Sequence, residues 1–111
     1  MGTYIDHSDD DASYATIEFE GRTYMPYGTV KKSVRGSDVD RCIGFFVQDG
    51  VDDTDRRVYT LAADPDHNFL MDRYSGKTIM EQPSFWRAVD TRGKDIPVPE
   101  YIDSLGYAFW E

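Results

Sequence analysis

The densest array of groups able to do chemistry is Asp49-Gly50-Val51-Asp52-Asp53-Thr54-Asp55, four carboxylates within seven residues. A calcium ion takes roughly six to eight oxygens, and closely spaced aspartates on a flexible loop supply several of them. The spacing is not that of an EF-hand: the Asp-x-Asp-x-Asp-Gly frame is missing and no glutamate closes the loop. Arg56 and Arg57 follow at once and compete for the same carboxylates. A solvated hairpin loop is therefore the favoured reading, with Asp49, Asp52, Asp53 and Asp55 forming a negative surface for a protein partner. A calcium-stabilised structural domain is the alternative.

Asp64-Pro65-Asp66-His67-Asn68 places two carboxylates beside a histidine. Acid–base catalysis needs such groups, but also a positioned partner and a pocket. A small hydrolase or isomerase centred on His67, with Asp64 and Asp66, is the enzymatic alternative. A turn whose histidine is satisfied by its neighbours is the favoured reading. The Gly76-Lys77-Thr78 triplet matches the end of a phosphate-binding loop. That loop needs glycine where Met71 stands and a helix after the threonine, and Pro83 denies the helix. Cys42 is the sole cysteine, which excludes an intramolecular disulfide and a cysteine-held zinc. The apolar Ile43–Val47 run beside it predicts a buried structural thiol.

Eight tyrosines complete the inventory, and Tyr24, Tyr27, Tyr74, Tyr101 and Tyr107 stand near charged residues. Amphipathic aromatics among charges suit a recognition surface, and Tyr24 and Tyr27 join the acidic loop as candidate binding residues. The competing reading is that these rings pack a sheet edge while their hydroxyls stay wet.

The elements that must position these groups are mostly strands. In residues 14–20, Ala15, Ile17 and Phe19 alternate with Thr16, Glu18 and Glu20, the period of a half-buried strand. Gly21-Arg22 predicts a tight turn and 23–25 the returning strand, which 28–34 extend. Pro26 has no N–H to give, so it belongs at an edge or bulge. Gly36-Ser37-Asp38 breaks the chain. Ile43–Val47 predicts a central strand, 49–55 a polar loop, 57–62 a strand, 64–68 a turn and 68–74 a further strand. Residues 84–89 fit a strand or a short helix. Pro99 and Gly106 bracket 99–105 in the manner of a short helix, and 107–110 predict a closing strand. Phe19, Phe45, Tyr59, Leu61, Phe69, Trp86 and Trp110 are the expected core.

The chain has 111 residues, 40% hydrophobic and 30% charged, which suits one folded domain and excludes a multidomain enzyme. Sixteen of its 21 acids are aspartate, a poor helix former that favours caps and turns. The net charge of −9 repels phosphate backbones and excludes a nucleic-acid partner, while suiting a basic protein. Residues 1–13 read as an acidic flexible tail or tether, with His7 inside it, and 14–111 as a single globular β-rich domain. No apolar run is long enough to cross a membrane.

The segments YATIEFEGRTYMPYGTV (14–30), IGFFVQDG (43–50), RRVYTLAADPDHNFLM (56–71), FWRAVD (85–90) and PEYIDSLGYAFWE (99–111), behind an acidic tether, resemble small uncharacterised single-domain lipoproteins of Gram-positive bacteria. The resemblance implies an extracytoplasmic domain, anchored at the cell surface through a lipidated cysteine upstream of this sequence. It carries over no functional residue. The expectation is an α+β fold, mostly antiparallel sheet curling toward a barrel with one or two short helices. Its expected role is that of a non-enzymatic binding or inhibitory, immunity-like module without metal or cofactor.

Overall fold

The computed structural model describes residues 4–7, 15–32, 34–48, 51–74 and 83–110. Its strands are β1 (Tyr4–His7), β2 (Ala15–Phe19), β3 (Arg22–Val30), β4 (Val39–Gln48), β5 (Val51–Leu61), β6 (Phe69–Tyr74), β7 (Ser84–Ala88) and β8 (Ile102–Ser104). Seven of them form one antiparallel sheet in the order β1-β2-β3-β7-β6-β5-β4, and β8 pairs with β3. The sheet curls into a half-barrel, so that the outermost strands β1 and β4 approach within 8 Å between Cα atoms.

The turn between β2 and β3 sits at Glu20-Gly21, one residue before the expected place, and both residues have positive φ (53° and 75°). That is the twist a two-residue hairpin requires. β3 then runs unbroken, bonded along one side by β7 and along the other first by β2 and then by β8. Pro26 falls between the β2 and β8 pairings, at a bulge spanning Pro26 and Gly28. A residue without an N–H costs least there.

Burial on both faces of the sheet explains the poor alternation of its middle strands. Along β6, Leu70 packs with Ile17, Tyr24, Val58, Trp86 and Ala88. Phe69 and Met71 face the other way, against Tyr27, Leu61, Phe85, Tyr101 and Ile102. The first group comes wholly from the strands and lies on one face of the sheet. The second includes Tyr101, with Val34, Ile96 and Trp110 packed against it, so chain segments outside the strands help cover the other face.

Several expectations are corrected. Among the described residues helical backbone is confined to three 3-10 turns, Gly36–Asp38, Val89–Thr91 and Ala108–Trp110. The expected helix at 99–105 is a turn followed by β8, because pairing with β3 outweighs the local Pro and Gly signals. The expected closing strand at 107–110 contains one of the 3-10 turns. The expected central strand, in β4, lies at the end of the sheet order and carries three register shifts, as edge strands commonly do. Cys42 on that strand is exposed instead of buried. Residues 51–55, read as loop, belong to β5. Part of the stretch read as a tether, Tyr4–His7, pairs with β2.

Candidate functional site

The turn at 64–68 forms as its sequence predicts, and its polar groups serve the turn itself. Asp64 is buried, its carboxylate accepting the backbone N–H groups of Asn68 (3.1 Å) and Phe69 (2.7 Å). Burial pushes its carboxyl above the usual range, against the pull of those two N–H bonds. His67 takes a positive φ of 56°, places Nδ1 3.2 Å from Glu20 Oε1 and packs its ring on Phe19. Asp66 is exposed, and its backbone carbonyl accepts from Arg22.

Arg22 had no signal in the sequence and proves central. Its Nε and Nη2 grip both oxygens of Asp90 (2.9 and 2.8 Å). Nη1 donates to the carbonyls of Asp66 and His67 (both 2.9 Å), and Nη2 also to Asn68 Oδ1 (2.9 Å). The Asp90 carboxylate holds the guanidinium pKa above its ordinary value, and Arg22 in turn holds Asp90 below the ordinary carboxylate range. Tyr24 adds its hydroxyl to the His67 carbonyl at 2.5 Å. The start of β3, the 64–68 turn and the 89–91 turn are thus stapled by one planar fork. Local sequence could not show this, since Arg22 and its partners lie 44 to 68 positions apart.

Of the candidate binding residues, Tyr24 is fully buried and Tyr27 is 8% exposed. Both were expected at the surface, and both belong to the core. Nearby charge does not hold them out: Arg22, the one charged residue of β3, shares a face with Tyr24 and lies over its ring at 5.7 Å, and Arg87 of β7 lies over Tyr27. Burial pushes the Tyr24 phenol up to about 12. Asp52, Asp53 and Asp55 lie on β5, with Asp52 and Asp53 opposite Val47 and Phe46 of β4, while Asp49 lies outside the described residues. Among the described residues no group of three His, Cys, Asp or Glu converges as metal ligands do.

Of the five tyrosines that stand near charges, Tyr101 is also buried, its phenol pushed up to about 12 by desolvation. Tyr107 is different: it is 46% exposed and stands on the rim of a cleft of about 600 Å³. β3 contributes Met25 to Gly28, β7 contributes Ser84 to Trp86, β5 contributes Arg56, and the far wall is Leu105, Tyr107, Phe109 and Trp110. The floor is fixed by polar bonds beneath it. Trp86 Nε1 donates to Asp72 Oδ2 at 2.5 Å, and Arg56 Nε lies 3.5 Å from Asp72 Oδ1. The far wall is fixed by Trp110, whose Nε1 donates to the Pro26 carbonyl at 2.9 Å. Behind it the buried Arg87 lies over the rings of Tyr27 and Trp110 (5.3 and 5.1 Å). That guanidinium is held by Thr91 Oγ1 and by the carbonyls of Thr91 and Lys94.

A largely apolar hollow of this size, ringed by aromatic groups and a few polar ones, suits capture of an apolar group. A second, polar hollow of about 260 Å³ lies between Lys32, Arg35, Ser37, Asp38, Glu100 and Tyr101. Its polar groups are partly matched already, Lys32 reaching Glu100 at 3.5 Å and the Arg35 backbone N–H donating to Asp38 Oδ2 at 2.8 Å. No protein-family model, curated protein or solved structure matches the chain.

Proposed function

We propose that this chain is a non-enzymatic binding module that captures a protein partner, in the inhibitory manner of an immunity protein. The observation that carries the reading is the cleft above β3 and β7, with Leu105 51% and Tyr107 46% exposed on its rim. Large aromatic and aliphatic side chains at the mouth of a concave apolar site are typical anchors of an interface. An apolar side chain of the partner fills the cleft. The net charge of −9 draws in a basic surface around it, and the aspartates at 49, 52, 53 and 55 contribute to that field.

The non-enzymatic part of the reading is supported by what the candidate catalytic groups do. Asp64 caps a turn, His67 pairs with Glu20, and Arg22 and Arg87 brace loops. Export and surface anchoring rest on the lipoprotein resemblance of the sequence alone.

Selection from a displayed random-peptide library tests the proposal. The expected winners carry one aromatic or large aliphatic residue flanked by Lys or Arg. Their affinity falls at least about tenfold, or 1.4 kcal/mol, on Tyr107→Ser with Leu105→Ser. Replacing the four aspartates by asparagine slows association at low salt and leaves dissociation nearly unchanged. Winners without an apolar anchor, or indifferent to both rim substitutions, contradict the proposal.

A further inference from the structure

We infer that Gly106–Trp110 is a hinged strap, latched by Trp110, whose release widens the cleft; its regulatory role rests on the proposal that the cleft is the binding site. The hinge is visible in the backbone. Gly106 has φ +72°, and no heavy atom lies within 4 Å of where a Cβ would stand, so the chain turns there in open space. Up to that point the segment belongs to the sheet: Ser104 pairs with Gly28, and the Leu105 N–H donates to the Tyr27 carbonyl at 3.1 Å. Beyond it, among the described residues, the backbone bond of the strap is internal, from the Trp110 N–H to the Tyr107 carbonyl at 3.0 Å.

Side chains make the attachment instead. The Trp110 indole bonds the Pro26 carbonyl, meets the Tyr27 ring edge-on at 5.7 Å and lies beneath the Arg87 guanidinium. Arg92 sits over Phe109 at 4.3 Å. Among the described residues, the strap is tied to the rest of the chain by two hydrogen bonds, Trp110 Nε1 to the Pro26 carbonyl and the Gly106 N–H to Ser104 Oγ (3.2 Å), and by ring contacts without strand pairing. It therefore opens at lower free energy than the sheet beneath it. Tyr107, Phe109 and Trp110 all line the cleft. Opening the strap therefore reshapes the cleft without moving β3 or β7. An apolar side chain seated against the three rings adds contacts only while the strap is shut, so binding and closure favour each other.

Hydrogen exchange of the ligand-free protein, followed by NMR, tests the strap independently of any ligand. The Trp110 indole N–H and the amides of Tyr107–Trp110 are expected to exchange at least a hundredfold faster than the Phe69 and Phe85 amides. Trp110→Phe, which keeps a ring but loses the donor to Pro26, should speed exchange in the strap at least tenfold further. Gly106→Ala, strained at positive φ but free of clashes, should act in the same direction. Both variants should leave protection in β6 and β7 unchanged. Exchange of the strap in step with the sheet, in the native protein or through equal loss of protection everywhere in the variants, overturns the inference. Binding of the neutral dye N-phenyl-1-naphthylamine then tests the regulatory role. Weaker uptake by Gly106→Ala, which loosens the strap without altering the cleft lining, than by the native chain supports it. Equal or tighter uptake overturns the regulatory role, and absence of dye binding in both proteins counts against the cleft reading instead.

Discussion

Replacing Arg22 by lysine keeps the positive charge and discards the fork, so it isolates what the staple contributes through geometry. The arginine makes two bonds to Asp90, one each to the Asp66 and His67 carbonyls, and one to Asn68 Oδ1. An ammonium in the same place retains a contact with Asp90 and loses the simultaneous reach to the 64–68 turn, which amounts to three bonds. The His67 carbonyl keeps the Tyr24 hydroxyl, and water replaces part of the rest, so each lost bond counts at the low end of the usual range. The total is about 2 kcal/mol, or a fall in Tm of roughly 8 °C or more for a domain near this size. Asp90→Asn is the control. The Asp90 side chain is 56% exposed, so its ion pair is screened and worth only about 0.5 kcal/mol. Thermal melts followed by near-ultraviolet circular dichroism, in low and high salt, separate the two. Arg22→Lys should cost several times more than Asp90→Asn, and its cost should depend little on salt. Equal losses for both variants, or an Arg22→Lys loss under about 3 °C, would refute the staple.

Other expectations follow from single contacts. A methyl group at Gly28 would stand 2.5 Å from the Asp103 carbonyl oxygen and 3.1 Å from Ile102 Cγ2. Gly28→Ala should therefore push β8 off β3 and lower stability by about 1–3 kcal/mol, read from the urea midpoint; an unchanged midpoint would show that β8 gives way freely. Burial raises the Tyr24 and Tyr101 phenols from 10.0 to about 12. For a raised pKa the native state holds the proton longer, so these phenols contribute stability that is complete below pH 10 and lost as pH rises toward 12. Phenolate absorbance should show two groups titrating late, together with alkaline unfolding, and Tyr24→Phe should remove one of them. Early titration of every tyrosine would contradict their burial. Cys42 is exposed on β4, so a thiol reagent should label it in the folded protein nearly as fast as in urea; strong native protection would return it to the core.

The parts of the fold legible in the sequence are those written locally. The alternation of 15–19, the Asx-rich turn at 64–68 and the bulge at Pro26 each follow from side chains a few positions apart. What was illegible depends on partners far along the chain. Pro99 and Gly106 bracket a short strand as readily as a short helix, and only β3, some 75 residues earlier, decides between them. Tyr24 and Tyr27 were read as exposed because charges stand a few positions away in the sequence, yet the sheet is buried on both faces at β3. Arg22 carries no local pattern at all; its role arises when two distant turns meet beside it. The cleft was half visible. Tyr107 stood among the five tyrosines near charges, whereas Leu105 was assigned to a short helix and Phe109 and Trp110 to a closing strand.

The central claim is that the cleft seats an apolar side chain presented on a basic surface. Its most direct test is a titration of the isotopically labelled protein with a short Lys- and Arg-rich peptide carrying one central Trp, against the same peptide with Ala. Chemical-shift changes at Gly28, Phe85, Leu105, Tyr107 and both indole N–H groups with the Trp peptide, absent with the Ala peptide, are the predicted result. Equal shifts with both peptides, or changes confined to β4 and β5 around the aspartates, would contradict it and make the acidic hairpin the binding surface instead.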